Sequence, residues 1–513
     1  MKEISRMKQH QLFNRNFLTL NLRLHLVIIF AFVGIYSVSS QTEKRGIAYG
    51  YHSPEDLEAL SPEVGWWYNW SETPESTVTA VFQNYGFEFV PMTWNGNYNE
   101  TELRAFLAEH PETKYILAFN EPNFLEQANM TPSEAAAQWP RLEAIADEFN
   151  LEIVGPAVNF CGDCVTENGI TYHDPFDYLD DFFEACSGCR VDHIAIHSYM
   201  NSVDALKWYI GEFKKYGKPI WLTEFNAWEE NPRLNLEQQQ NYMIQAVDYL
   251  ENDPDVFRYS WFIGRWNGIQ NYPHIELLGA KGELTVLGEY YKKMPVHNEN
   301  RVVRLPAVIE AGEYNRMIGV QLEKTQDVDG FVNVGYIDAG DWLEYKIEVP
   351  QTGTWNIGFR FASTRSAVLN IYVDDAMLKT QQLPNTGDWQ NWETVSAELQ
   401  LNEGVHIIRL QAVTPGFNLN WFSFDLIFSG SSEISVNPKF FNVYPNPGNG
   451  IFTIETRETL KEVVVVDIFG RKIRSLPYSE KIDLSSLAEG VYFLQLKDFR
   501  EQTVGNKKVI LRK

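Results

Sequence analysis

The sequence predicts a multidomain chain in three folded parts: a (β/α)8 TIM barrel, a jelly-roll β-sandwich, and a small β-sandwich at the C-terminus. Three observations predict it. Between residues 43 and 293, eight apolar or β-rich runs alternate with amphipathic helical stretches, the strand-and-helix count of a parallel barrel. From 305 to 428 the pattern changes to short β runs with turn residues between them and little helical periodicity. A last β-rich stretch runs from 437 to 513, and 513 residues are more than one hydrophobic core usually holds.

The first 41 residues read as an export signal. Lys2, Arg6, Lys8, Arg15 and Arg23 precede an apolar run from Leu26 to Val38, and Ser39-Ser40-Gln41 supplies a small-residue cleavage zone. The run is short for a membrane span; an uncleaved anchor is the alternative. Composition then narrows the partners. A formal charge of −25 argues against nucleic acid, which demands basic patches, and would repel acidic polysaccharides. Neutral glycans fit better, and 15 Trp, 25 Tyr and 32 Phe offer faces of the kind that stack on sugar rings.

In the 43–293 part, strands are expected at Gly46–Tyr51, Gly65–Trp70, Phe87–Trp94, Lys114–Asn120, Glu152–Val158, His193–Tyr199, Ile220–Phe225 and Arg258–Ile263. Helices are expected at Thr101–Glu109, Pro132–Phe149, Phe176–Ala185, Val203–Tyr216 and Leu236–Leu250. Two runs share one grammar. Lys114-Tyr-Ile-Leu-Ala-Phe-Asn-Glu-Pro-Asn123 ends in Glu121, where Pro122 forces an exit from the strand. Pro219-Ile-Trp-Leu-Thr-Glu-Phe-Asn226 ends in Glu224. Two carboxylates at the mouths of the fourth and seventh strands suit acid/base and nucleophile chemistry on a sugar. The alternative is two glutamates in surface loops.

Several segments of this part carry a resemblance: Gly65-Trp-Trp-Tyr-Asn-Trp70, Val90-Pro-Met-Thr-Trp94, Ala118-Phe-Asn-Glu-Pro-Asn123, Cys186-Ser-Gly-Cys-Arg-Val-Asp192, Ile196-His-Ser-Tyr199 and Trp221-Leu-Thr-Glu-Phe225. In this order they resemble glycoside hydrolase family 128, the endo-β-1,3-glucanases. The resemblance implies Glu121 as general acid/base and Glu224 as nucleophile, with no cofactor for catalysis. It places Asn120 against the sugar hydroxyl beside the anomeric carbon, or else in the closing turn. Tyr199 would orient Glu224 and His197 would line the site; a buried, satisfied Tyr or His is the other reading of each. Trp66, Trp67, Trp94, Trp261 and Trp266 are either sugar platforms or core residues, with Trp94, Trp261 and Trp66 taken as platforms.

All four cysteines fall in two C-x-x-C pairs, Cys161/Cys164 and Cys186/Cys189. Such pairs read as a zinc site in a cytosolic protein, whereas export favours disulfides of undetermined connectivity. Both pairs are expected to brace loops beside the cleft.

Residues 294–304 read as a linker. The sandwich that follows is expected to hold strands at Phe331–Asp338, Leu343–Val349, Trp355–Ala362, Leu369–Val373, Glu393–Leu399, His406–Ala412 and Asn420–Phe428, with hairpin turns at Thr352-Gly353 and Asn402-Glu403-Gly404. Gly335-Tyr-Ile-Asp-Ala-Gly-Asp-Trp-Leu-Glu-Tyr345, Thr386-Gly-Asp-Trp-Gln-Asn-Trp392 and Gly416-Phe-Asn-Leu-Asn-Trp421 resemble a family 6 carbohydrate-binding module. The resemblance implies a sugar sandwiched between Tyr336 and Trp389 and bonded by Asn418 or Asn420. It also implies a structural calcium on Glu310 and Asp425, although Gly312 stands where the family's second glutamate belongs, with Glu313 or Glu323 as substitutes.

Residues 429–436 read as a flexible joint. Val443-Tyr-Pro-Asn-Pro-Gly-Asn-Gly-Ile-Phe452, Val466-Asp-Ile-Phe-Gly-Arg471 and Leu487-Ala-Glu-Gly-Val-Tyr-Phe493 resemble the C-terminal sorting domain of type IX secretion. That implies outer-membrane secretion machinery as a partner and a secreted or surface-attached product. The whole reads as a monomeric retaining endo-β-1,3-glucanase acting on laminarin- or curdlan-type glucan. The alternatives are another endo-glycosidase of neutral polysaccharide (mixed-linkage glucan, xylan) and a non-catalytic surface glycan-binding protein.

Overall fold

A computed structural model describes residues 43–229, 233–266, 274–328, 330–427, 441–456, 460–467, 472–499 and 503–512; the expected export signal and the 429–436 joint lie outside them. The described residues up to Ile427 form one compact unit, and those from Phe441 onward belong to a second.

In the first part the strands are β1 (Arg45–Ala48), β2 (Trp66–Tyr68), β3 (Glu88–Phe89), β4 (Met92–Thr93), β5 (Tyr115–Ala118), β6 (Glu152–Val158), a surface hairpin β7 (Thr166–Glu167) and β8 (Ile170–Thr171), β9 (His193–Ser198), β10 (Ile220–Phe225) and β11 (Val256–Phe262). Nine of them form one curled parallel sheet in the order β3-β2-β1-β11-β10-β9-β6-β5-β4. The sheet has nine strands rather than the expected eight because the third run breaks at Pro91, which has no N–H to donate. Its first piece pairs with β2, and its second with β5. Both ends of the sheet are therefore consecutive pieces of one short segment.

Among the described residues seven α-helices cover the outside: α1 (Pro54–Leu60), α2 (Glu100–Glu109), α3 (Pro132–Phe149), α4 (Pro175–Ala185), α5 (Val203–Phe213), α6 (Leu236–Asn252) and α7 (Val286–Lys293). The five expected helices are α2 to α6. Capping residues fix their starts: Thr131 with Glu134 opens α3, and Asn235 with Gln238 opens α6, each pair exchanging side-chain and backbone bonds. Burial on both faces explains why the strands read as continuous apolar runs. Alternate residues point inward (Ala48, Trp66, Tyr68, Tyr115, Leu117, Ala195, Trp221) or outward to the helices (Ile47, Trp67, Ile116, Ala118, Ile196, Leu222, Trp261).

The second part is a β-sandwich built from β12 (Val302–Arg304), β13 (Ala307–Glu310), β14 (Arg316–Ile318), β15 (Gln321–Lys324), β16 (Val332–Gly335), β17 (Trp342–Val349), β18 (Gly353–Ser363), β19 (Ala367–Val373), β20 (Ala376–Leu383), β21 (Asp388–Leu401), β22 (Gly404–Ala412) and β23 (Phe417–Ile427). One sheet runs β12-β17-β22-β19-β20 with β14 on β17; the other runs β15-β16-β23-β18-β21 with β13 on β23. The two expected hairpins are corrected. Thr352-Gly353 joins β17 to β18, and Asn402-Glu403 joins β21 to β22, so each carries the chain from one sheet to the other.

The expected 294–304 linker is pinned. Arg45, fully buried and paired with Glu251, donates to the carbonyls of Met294 and Pro295, and Val302–Arg304 is already a strand of the sandwich. The sandwich docks on α6 and α7. Tyr314 Oη donates to Asp248 at 2.7 Å, Leu322 N donates to the same carboxylate at 3.3 Å, and Phe331 packs on Tyr290 with ring centroids 4.2 Å apart.

The C-terminal unit holds β24 (Phe441–Tyr444), β25 (Ile451–Thr456), β26 (Glu462–Val466), β27 (Lys472–Pro477), β28 (Lys481–Asp483), β29 (Gly490–Lys497) and β30 (Thr503–Leu511). Two small sheets, β24-β25-β28 and β27-β26-β29-β30, share one apolar core.

Candidate active site

Glu121 and Glu224 emerge at the same end of the sheet, each brought there by an irregularity. After β5, Phe119 takes a left-handed backbone (φ 51) and packs outward on Trp139, and Glu121 is left-handed as well (φ 43). Such values are costly for non-glycine residues and cluster at functional sites. On β10 a register shift between Leu222 and Glu224 turns Glu224 inward, where strict alternation after inward Trp221 would send it outward. Gly155 of β6, at φ +122, lets the neighbouring strand approach: a Cβ there would meet the Ala118 carbonyl oxygen at 2.5 Å.

The two glutamates, 8% and 5% exposed, flank His197. Its Nδ1 lies 2.9 Å from Glu121 Oε1 and 3.5 Å from Glu224 Oε2. One oxygen of each carboxylate and this nitrogen lie within 4.8 Å of one another. Glu121 also accepts from Asn159 Nδ2 at 3.3 Å. Glu224 accepts from Trp70 Nε1 at 2.8 Å, from Tyr68 Oη at 3.0 Å, and from Tyr199 Oη.

Burial lifts the Glu224 carboxyl above the ordinary value; His197 opposes this, Glu121 reinforces it, and the Tyr199 and Trp70 donors oppose it again. Burial works against the imidazolium of His197, but Glu224 and then Glu121 outweigh it and raise its pKa. Burial and the Glu224 charge hold the Tyr68 and Tyr199 hydroxyls far above their usual range, so both remain donors.

A cleft of about 730 Å³ opens over this group, lined among others by Trp70, Trp94, Asn120, Phe160, Trp228 and Trp266. Asn120 donates to Gln127 at 3.2 Å, and its buried Oδ1 has no partner among the described residues. Trp94 is thus at the cleft, as expected; Trp66 and Trp261 are not. Trp66 lies at the inner base of the sheet, its ring against Gly46 and its Nε1 donating to Lys44 O. Trp261 points outward among the helices and donates to Ile275 O. Tyr68, Trp70, Trp228, Phe262 and Asn159 were missed. Trp70 and Tyr68 share the inward parity of Trp66, a signal present in the alternation of β2.

Each C-x-x-C closes on itself as a disulfide, Cys161–Cys164 and Cys186–Cys189, which removes the zinc reading. The first braces the cleft, where Leu125 N donates to Asp163 O and Phe124 bridges Cys164. The second does not, because it caps the C-terminus of α4, at the opposite end of the sheet from the glutamates.

In the sandwich, Tyr336 and Trp389 face a cleft of about 660 Å³ and are 54% and 46% exposed. Asn418 lines it, donating to Glu323 at 2.6 Å and to Trp389 O at 2.9 Å. Asn420 does not; it is fully buried and donates to Asp327. Glu323, which also accepts from Asn333 and Gln390, was missed as a cleft residue. The calcium pair does not fit one ion. Glu310 lies opposite Trp421 and Ala307 opposite Phe424, so Asp425 stands about four residues, roughly 13 Å, along the ladder from Glu310. At position 312 a Cβ would press on Pro295 of the 294–304 segment and on Leu322 of β15, so the site of the family's second glutamate is closely packed.

Comparison with known proteins agrees with this layout. A family model described as glycosyl hydrolase catalytic core matches residues 46–291, carbohydrate binding module (family 6) matches 310–426, and secretion system C-terminal sorting domain matches 442–512. Alkali-sensitive linkage protein 1 of Schizosaccharomyces pombe is 27% identical over 265 residues, which cover 49% of this chain and 45% of that protein. The chain thus spans less than half the length of that curated relative. A family 128 (subgroup II) endo-β-1,3-glucanase of Pseudomonas viridiflava is 40% identical, covering 49% of this chain and 98% of that one (TM-score 0.46). A family 6 module from Cellvibrio mixtus lichenase 5A, solved with cellotriose, is 35% identical, covering 24% and 98% (TM-score 0.24). The sorting domain marks a secreted or cell-surface protein. By these sequence matches the chain belongs to the glycosyl hydrolase catalytic-core family, joined to a family 6 carbohydrate-binding module and a secretion sorting domain.

Proposed function

We propose that the protein is a secreted retaining endo-β-1,3-glucanase working on a (β/α)8 barrel, in which β3 and β4 are two halves of the third strand. The observation that carries the mechanism is the approach of the two carboxylates, whose facing oxygens lie within 4.8 Å. Retaining glycosidases hold their pair about 5–5.5 Å apart, whereas inverting ones need about 6.5–9.5 Å to fit a water. The 40% identity to a protein named endo-β-1,3-glucanase supports the substrate.

In the first step Glu224 attacks the anomeric carbon while Glu121 gives its proton to the departing glycosidic oxygen, leaving a glycosyl ester and a free chain end. In the second, Glu121 takes a proton from water, the hydroxide attacks the anomeric carbon, and Glu224 leaves as carboxylate. Three donors on Glu224 stabilise that carboxylate: Tyr68, Trp70 and Tyr199. Glu121 instead faces His197 Nδ1 at 2.9 Å and accepts from Asn159 Nδ2 at 3.3 Å. The free Oδ1 of Asn120 suits a sugar hydroxyl donor. The sandwich module holds the enzyme on the same glucan through Tyr336, Trp389 and Asn418.

Azide rescue with an activated β-glucoside tests the two roles. Glu224→Ala with azide should yield the α-azide, after a single displacement, and Glu121→Ala the β-azide. The reverse pattern would exchange the roles, and inverted product from the wild type would remove the double displacement.

A further inference from the structure

The sandwich cleft has a second wall, and it belongs to the catalytic domain. Besides Tyr336, Trp389 and Asn418, the cleft is lined by Glu237, Asn241 and Gln245 of α6. These three residues are spaced by four, so they stand one above another on a single helix face, a row of about 12 Å. The adjacent row, Gln240, Ile244 and Asp248, docks α6 onto the module. Gln240 accepts from Lys324 at 3.2 Å, Ile244 is fully buried, and Asp248 accepts from Tyr314 and Leu322 N. The wall is therefore fixed against the cleft before any ligand arrives, and a preordered wall adds contacts with little ordering cost. Asn241 is exposed and Gln245 half-buried, which leaves their amides within reach of a ligand.

The geometry points to a composite sugar site. Tyr336, Trp389 and Asn418 take one sugar, and Asn241 and Gln245 hydrogen-bond hydroxyls of the next sugars of the same neutral β-glucan chain. This rests on the reading that the module binds glucan. The charges agree with a neutral ligand, since Glu237 and Glu323 face the cleft together with Lys324. Uronate sugars would meet two carboxylates there. The module and the catalytic domain thus form one glycan-reading surface, and the module alone is a weaker reader of longer chains.

Calorimetry on the full chain carrying Glu224→Gln, so that ligand is not consumed, tests this with laminaribiose and laminaripentaose. Subtracting the binding that survives Trp389→Ala isolates the module site from the catalytic cleft. The pair Asn241→Ala/Gln245→Ala should weaken the Trp389-dependent binding of laminaripentaose about three- to tenfold. Laminaribiose should change less than about twofold, because it does not reach the whole row. Unchanged laminaripentaose binding in the pair would overturn the composite site while leaving the module reading in place. Absence of any Trp389-dependent component would overturn the module reading, and the composite site with it.

Discussion

Nδ1 of His197 stands 2.9 Å from Oε1 of Glu121, and the same nitrogen reaches Glu224 at 3.5 Å. A single buried ring therefore couples the two carboxylates. In the proposed mechanism Glu224 attacks as its carboxylate, and burial lifts its pKa, so the acid limb of kcat/KM is expected to lie above the ordinary carboxylate value. His197 opposes that lift. His197→Gln is expected to lower kcat/KM about 100-fold, as loss of a positioned donor does elsewhere, and to move the acid limb to higher pH. A pH profile checks it: the same loss with an unmoved limb would mean that the ring only shapes the pocket.

Trp66 and Trp70 lie on one inner row of β2 and its extension but have different tasks. Trp70→Phe removes the Nε1–H bonded to Glu224 at 2.8 Å and should reduce kcat about tenfold with little change in melting temperature. Trp66→Phe opens space in a fully buried site and should cost about 1–3 kcal/mol of stability, leaving KM unchanged. Paired kinetics and thermal melts separate the two.

That contrast also shows what the sequence could reveal. The eight runs and the carboxylates at the ends of the fourth and seventh were legible because apolar strands terminate abruptly at Pro122 and after Phe225. Tryptophan count alone could not tell base from mouth. Parity could: residues 66, 68 and 70 share a face, so the one at the cleft had to be the last of them, not the first. Parity itself would have failed at Glu224, which a register shift turns inward. The choice between Asn418 and Asn420 was invisible for a different reason: they stand two residues apart on β23, and only their hydrogen-bond partners, Glu323 for Asn418 and Asp327 for Asn420, separate the cleft position from the fully buried one.

The two disulfides should differ in consequence. Cys161→Ser/Cys164→Ser loosens the segment that follows Asn159 and Phe160, both at the cleft, so KM on glucan should rise several-fold. Cys186→Ser/Cys189→Ser lies at the far end of α4 and should leave KM unchanged. Equal effects of the two pairs on KM would show that neither acts through the cleft loop.

Asp248 links the catalytic domain to its module and makes their union pH-dependent. Burial raises its carboxyl to about 6 from the ordinary 3.8, while Tyr314, Leu322 N–H and Lys207 favour the charge and Glu251 opposes it. With the folded pKa above the unfolded one, the folded chain holds the extra proton between about 4 and 6. Stability from this group is therefore greatest at low pH, falls as pH rises through that window, and is flat above it. The full shift corresponds to on the order of 3 kcal/mol. Asp248→Asn does not titrate. It loses an acceptor and should start lower at pH 4, but its melting temperature should decline less between pH 4 and pH 8 than that of the wild type. Parallel declines in the two proteins would show that Asp248 carries its proton no more tightly folded than unfolded, and that the junction is held by packing of Phe331 on Tyr290 rather than by this carboxyl.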